Sequence, residues 1–115
     1  MEIQDMLYTN LELLKSKRQE LGIKMTEINQ QVNNLYHRIE TTKFNVCQGY
    51  VLADQLRTVL QDRRQIKFQI AEADSAICNL NRSINKIKDI KKENEQRLKD
   101  YTKEAEEKTK KLLGF

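Results

Sequence analysis

Arg57, Arg63, Arg64 and Lys67 are the residues of this chain whose types and spacing suggest binding chemistry. A guanidinium grips phosphate or carboxylate oxygens in a planar fork and an ammonium adds a point charge. The group therefore reads as a candidate anion or partner site, for a phosphate, a nucleotide or a nucleic-acid backbone. Arg57 and Arg64 stand one heptad apart and share a helix face, with Lys15, Lys17 and Arg18 elsewhere on the chain. Internal ion pairing is the alternative, Arg63 with Glu27 and Arg64 with Asp54 or Asp62. Arg63 is the sharpest case, because it falls where the periodicity calls for an apolar residue, and a covered charge is costly unless it is paired or meets an anion.

Catalytic chemistry has little to draw on. His37 is the only histidine, Gly-rich phosphate loops are absent, and neither H-E-x-x-H nor C-x-x-C occurs. His37 falls in the last turns of a helix, where the dipole favours it, and is expected to be an exposed surface residue. The adjacent acids Glu106 and Glu107 sit in a charge run with no fold to enclose them. An enzyme requires a water-excluded pocket that a two-helix seam does not build, so no catalytic, cofactor or metal site is expected. Cys47 and Cys78 would be roughly 46 Å apart on one helix, far beyond disulfide reach. They are expected to be reduced thiols in a cytosolic setting, acting as small apolar fillers.

The elements that position these residues are helices. The chain has 115 residues with no proline, three glycines, no tryptophan and 33% charged residues. That composition lets a helical backbone run uninterrupted and offers no large globular core. Basic residues number 21 and acidic residues 17, for a net charge of +4. Such a balance suits a solvated, ion-paired helix surface better than a dedicated nucleic-acid binder. No apolar run approaches the roughly 18–20 residues of a membrane span, and the early acids of Met1–Asp5 do not suit a signal peptide. No membrane partner is expected, and the expected location is cytoplasmic.

Periodicity carries most of the information. Leu7, Leu11, Leu14, Arg18, Leu21, Met25, Ile28, Val32, Leu35 and Ile39 follow strict alternating spacings of four and three. Leu52, Leu56, Val59, Arg63, Ile66, Ile70, Ala73, Ile77, Leu80, Ile84 and Ile87 do the same without a phase slip. This is the a/d seam of a left-handed coiled coil. Neither run extends in phase through Thr41–Asn45, and Asn45 with Gln48 has the form of a capping box. So short a connection makes the two helices adjacent and antiparallel. Ile39 is then expected beside Leu52, Leu21 beside Ile70, Leu14 beside Ile77 and Leu7 beside Ile84. Arg18 falls opposite Ala73, a long side chain against a short one, with Glu72 or Asp74 in reach of its guanidinium.

The expected fold is all-α: an antiparallel two-helix coiled-coil hairpin with a longer second helix, oligomerising into a helical bundle. A single hairpin occupies 1–115, with helix 1 over about 5–41, the turn over 41–45 and helix 2 over about 46–112. Thr9 with Glu12 offers a second capping box, and a break near Asp74–Ser75 would give three helices instead of two. Residues 86–115 form an overhang in which Lys91, Asn94, Leu98, Tyr101, Ala105, Lys108 and Leu112 keep the seam's phase while two thirds of residues 88–111 are charged. An isolated helix of that kind is marginal without a partner. Leu13, Ile23, Tyr36, Leu60 and Phe68 lie off the seam, and a lone hairpin is rarely stable by itself. A protein partner and a homo-oligomer are therefore expected, with Leu60, Phe68, Leu98, Tyr101 and Leu112 as candidate interface residues.

Glu40, Phe44, Asn45, Gly49, Tyr50, Leu52, Leu56, Arg63, Arg64, Ile66 and Lys67 compose an acid and a Phe-Asn-x-x-x-Gly-Tyr turn, followed by an apolar helix with an Arg-Arg-x-x-Lys cluster. In this the chain resembles small helical proteins of phages and prophages of Gram-positive bacteria, over residues 40–67 only; Gln48 stands where that pattern usually has Glu. The resemblance implies a phage or prophage origin, a setting in the host cytoplasm and action by binding. It brings no activity with it. The expected function is a non-enzymatic coiled-coil interaction protein, phage-encoded and inhibitory toward a host or anti-phage defence protein. Two alternatives stand beside it: an anionic-ligand binder (a nucleic-acid accessory protein or a cyclic-nucleotide sponge) using the Arg63/Arg64 face, and a secretion or assembly chaperone gripping with the C-terminal arm.

Overall fold

The computed structural model of the chain describes residues 2–114; Met1 and Phe115, the last residue of the expected overhang, lie outside them. Two helices, α1 (Ile3–Thr41) and α2 (Val46–Leu113), pack against each other as a hairpin. The molecule measures 103 × 19 × 15 Å. At 1.5 Å per residue the 68 residues of α2 account for its whole length.

Local chemistry sets the turn. At the end of α1 the Thr41 hydroxyl donates to the His37 carbonyl at 2.8 Å and the Thr42 amide to the Arg38 carbonyl at 3.0 Å. Thr42 itself is extended, which stops the helix. Asn45 then opens α2 with both halves of a capping box: the Gln48 amide donates to Asn45 Oδ1 at 2.9 Å, and the Asn45 amide to Gln48 Oε1 at 3.1 Å. Phe44 lies over Gly49, where a Cβ would come within 3.1 Å of the ring. A glycine at that seam position is what lets the aromatic close the hairpin end. At the other end of α2, Gly114 takes the left-handed conformation (φ 77°) that only glycine adopts freely, and its amide caps the Lys110 and Lys111 carbonyls.

The core is the seam and nothing else. Leu11, Leu21, Val32, Leu35, Leu52, Ala73 and Ile84 are buried, and every one is an a/d position. The remaining seam residues are half-buried, because each is covered by one neighbouring helix only. Half-buried Gln4 and Gly49 carry the same phase one step beyond each expected run.

Polar contacts pin the register. Arg18 Nε donates to Asp74 Oδ1 at 2.8 Å, beside the buried Ala73. Nearer the open end, Lys88 Nζ lies 5.4 Å from the centre of the Tyr8 ring, and Lys91 Nζ reaches Glu2 Oε2 at 3.5 Å. Gly22 completes the Arg18 layer, since a Cβ there would stand 3.3 Å from Arg18 Nη1. Glycine in a helix interior costs about 1 kcal/mol against alanine. Here the missing methyl leaves space for the guanidinium on its way to Asp74.

Two alternatives fall away and one expectation is corrected. The Thr9–Glu12 signature does not start a helix: α1 begins at Ile3, and the Thr9 hydroxyl donates to the Asp5 carbonyl inside it. The seam continues through Leu7 to Gln4, so docking on α2 extends the helix past that local signal. The alternative break near Asp74–Ser75 does not occur; α2 is continuous, and Asp74 holds Arg18 instead. Cys47 and Cys78 are not apolar fillers, because both are free and exposed at positions off the seam. From Lys88 onward every described residue of α2 is exposed. Among the described residues no helix is long and apolar enough to cross a membrane.

Candidate functional site

The four basic residues do not converge on one point. Arg63 turns into the seam, where the register brings Ile28 of α1 level with it. Its Nε is covered and has no hydrogen-bond partner among the described residues. Arg57, Arg64 and Lys67 stay exposed along α2. Arg57, Leu60 and Arg64 line one shallow groove with Ala53 and Leu56. Lys67 lies one turn further on.

The internal pairing weighed for the cluster is redistributed. Asp54 binds Arg57, with Nη2 to Oδ1 at 2.9 Å, and not Arg64. Among the described residues neither Arg63, Arg64 nor Lys67 has a carboxylate within 4.0 Å. Successive cations on an exposed edge suit an extended anion lying along α2. They do not enclose a small one, since Arg57 and Arg64 are about 10 Å apart along the axis.

The apolar candidates separate in the same way. Leu60 is half-buried beside α1, whereas Phe68 lies on the outer face of α2. Leu98, Tyr101 and Leu112 retain 69%, 76% and 88% of their surface in solvent. They continue the a/d phase of the seam beyond Lys91, whose ammonium reaches Glu2 just before α1. Their exposure follows from chain length alone, because α1 has ended.

A further surface lies at the turn, where Phe44, Val51 and Leu52 floor a groove edged by Arg38. It runs on over Leu35 and Val59. The sequence held a signal for it, an aromatic within the turn and a glycine in seam phase, but only the folded turn shows that Phe44 and Val51 face one concavity. His37, Glu106 and Glu107 are exposed. Among the described residues no group of three His, Cys, Asp or Glu side chains could hold a metal ion. The Tyr8 phenol is held below its ordinary value by hydrogen bonding to Lys88 and by that ammonium's charge. Fold and surfaces together define an all-α helical hairpin with an uncovered C-terminal arm. No family model, curated protein or solved structure matches the chain.

Proposed function

We propose that this chain is a non-enzymatic coiled-coil interaction protein, in which the hairpin is a stiff base and the C-terminal arm is offered to another helix. One observation supports this above the others: the heptad phase runs unbroken from the seam into residues 92–113, where Leu98, Tyr101 and Leu112 have no cover. An isolated helix of such composition gains little from its own backbone and is stabilised when a second helix covers its stripe. The finer reading, an inhibitor of a host or anti-phage defence protein in the host cytoplasm, rests on the resemblance of residues 40–67 to phage and prophage proteins.

Affinity capture with two baits tests the reading, the full chain and the full chain carrying Leu98→Asp with Tyr101→Asp. A protein retained by the first and lost by the second is the expected result. A partner retained equally by both would remove the arm from the interaction.

The anionic-ligand reading keeps one observation in its favour, the lack of carboxylate partners for Arg64 and Lys67 among the described residues. Binding of a labelled single-stranded oligonucleotide, falling steeply with salt and lost on Arg64→Ala with Lys67→Ala, is its expected signature. Salt-independent binding, or binding that survives both substitutions, refutes it.

A further inference from the structure

Among the apolar surfaces left uncovered in the described residues are the arm's stripe and the turn-end groove. They cannot meet within one molecule. α2 is a single helix from Val46 to Leu113, so the turn and the arm's tip stand at opposite ends of a 103 Å rod. We propose that the arm of one chain lies in the turn-end groove of a second copy, and that two copies exchange arms reciprocally about a two-fold axis. The product is an antiparallel dimer no longer than one chain. This rests on the reading of the arm as the docking element and adds its occupant.

Dimensions support the fit. Aligned antiparallel and end to end, the two rods bring Leu112 of one copy level with Cys47 of the other. Leu98 then comes level with Gln61, next to Leu60. Leu98 to Leu112 spans about 21 Å of helix, and the groove's α2 wall from Cys47 to Val59 about 18 Å. The stripe and the groove therefore match in length to within one helical turn.

Charge supports the same alignment. Asp100, Glu104 and Glu107 follow the i, i+4, i+7 spacing along one edge of the arm's stripe. In this arrangement Glu104 and Glu107 come level with Arg38 at the edge of the groove, and Asp100 lies about 9 Å further along. Arg38 has no carboxylate within 4.0 Å among the described residues. Symmetry closes this contact: each arm finds a groove and each groove an arm. Arm-to-arm pairing would instead leave both grooves open and make a particle about 165 Å long.

The full-length chain carrying Leu112→Cys and Cys78→Ser tests this directly, because native Cys47 lines the groove and is exposed. Mild oxidation is expected to give a covalent dimer in which Cys47 of one copy is bonded to the introduced thiol of the other. Small-angle scattering of the unmodified chain is expected to show twice the 13.7 kDa mass with a maximum dimension still near 103 Å. Leu98→Asp with Tyr101→Asp should weaken the dimer at least tenfold. A strict monomer at all concentrations overturns the second copy as occupant and leaves the arm to a different protein. A dimer near 165 Å, or bonding between the two introduced thiols, overturns the groove. A dimer undiminished by the aspartates overturns this inference and the arm's role together.

Discussion

Ala73→Leu would place three added carbons into the one seam layer that carries a charge. Ala73 is 8% exposed and shares its level with Arg18, whose Nε holds Asp74 at 2.8 Å. Gly22 bounds the same space, with Arg18 Nη1 3.3 Å from where its Cβ would be. Ala73 is buried and Arg18 stands close over Gly22, so the added carbons are expected to push the guanidinium outward. Overpacking of this kind costs about 1–3 kcal/mol. The lost ion pair adds no more than about 0.5 kcal/mol, since its side chains are 37% and 57% exposed and solvent screens them. The new methylene surface offsets part of this, leaving a net loss of about 1–2 kcal/mol. Arg18→Ala alone should cost about 1 kcal/mol by opening the layer and stripping cover from its neighbours. Combined, the two changes are complementary, because leucine fills what the arginine vacated. The double variant should return to within about 0.5 kcal/mol of the parent, a coupling of roughly 2 kcal/mol. Urea unfolding followed by far-ultraviolet circular dichroism, at one fixed chain concentration, measures all four corners of the cycle. Additivity within about 0.3 kcal/mol would mean that Arg18 and Ala73 share no layer, and the register would be refuted.

Burial contrasts sharply along the same heptad phase. Leu21→Ala (3% exposed) should cost about 2–4 kcal/mol, whereas Leu98→Ala (69% exposed) should change monomer stability by under about 0.5 kcal/mol in the same urea series. Asn45→Ala removes the acceptor for the Gln48 amide and should lower stability by about 1 kcal/mol, with exchange of the Cys47–Tyr50 amides accelerating first. Tyr8 should ionise below the ordinary tyrosine range by phenolate absorbance, and Lys88→Met should move it back towards that range. The sign follows from linkage: folding favours the phenolate, so this small contribution is present above the ordinary tyrosine range and is lost as the pH falls through the depressed value.

Much of the fold is legible because a two-helix seam has one rule. Each buried residue has one covering neighbour, so the alternation of four and three maps straight onto burial. Asn45 and Gln48 are equally readable, since a capping box is local. The Arg18–Asp74 contact follows once the turn is placed. Other features depend on side-chain geometry that spacing does not contain. Nothing in the spacing shows that Gly22 and Gly49 leave room which Arg18 and Phe44 occupy. Arg63 reads as an ion-pair member of its cluster, yet the seam turns it away from Arg64 and covers its Nε. Cys47 and Cys78 have the residue type of core fillers but not the phase. The arm's uncovered stripe was visible as an excess of in-phase helix over available partner. The groove it would enter needed the turn to fold, because Phe44, Val51 and Leu35 are brought together only by the reversal of the chain.

Hydrogen exchange along α2, measured across a dilution series of the intact chain, tests the central claim that the arm is built for another helix. Amides of residues 52–84 should be protected at every concentration, while those of residues 92–113 should exchange quickly in dilute solution and slow when chain or partner is added. Protection of the arm equal to that of residues 52–84, and unchanged by dilution or partner, would contradict it.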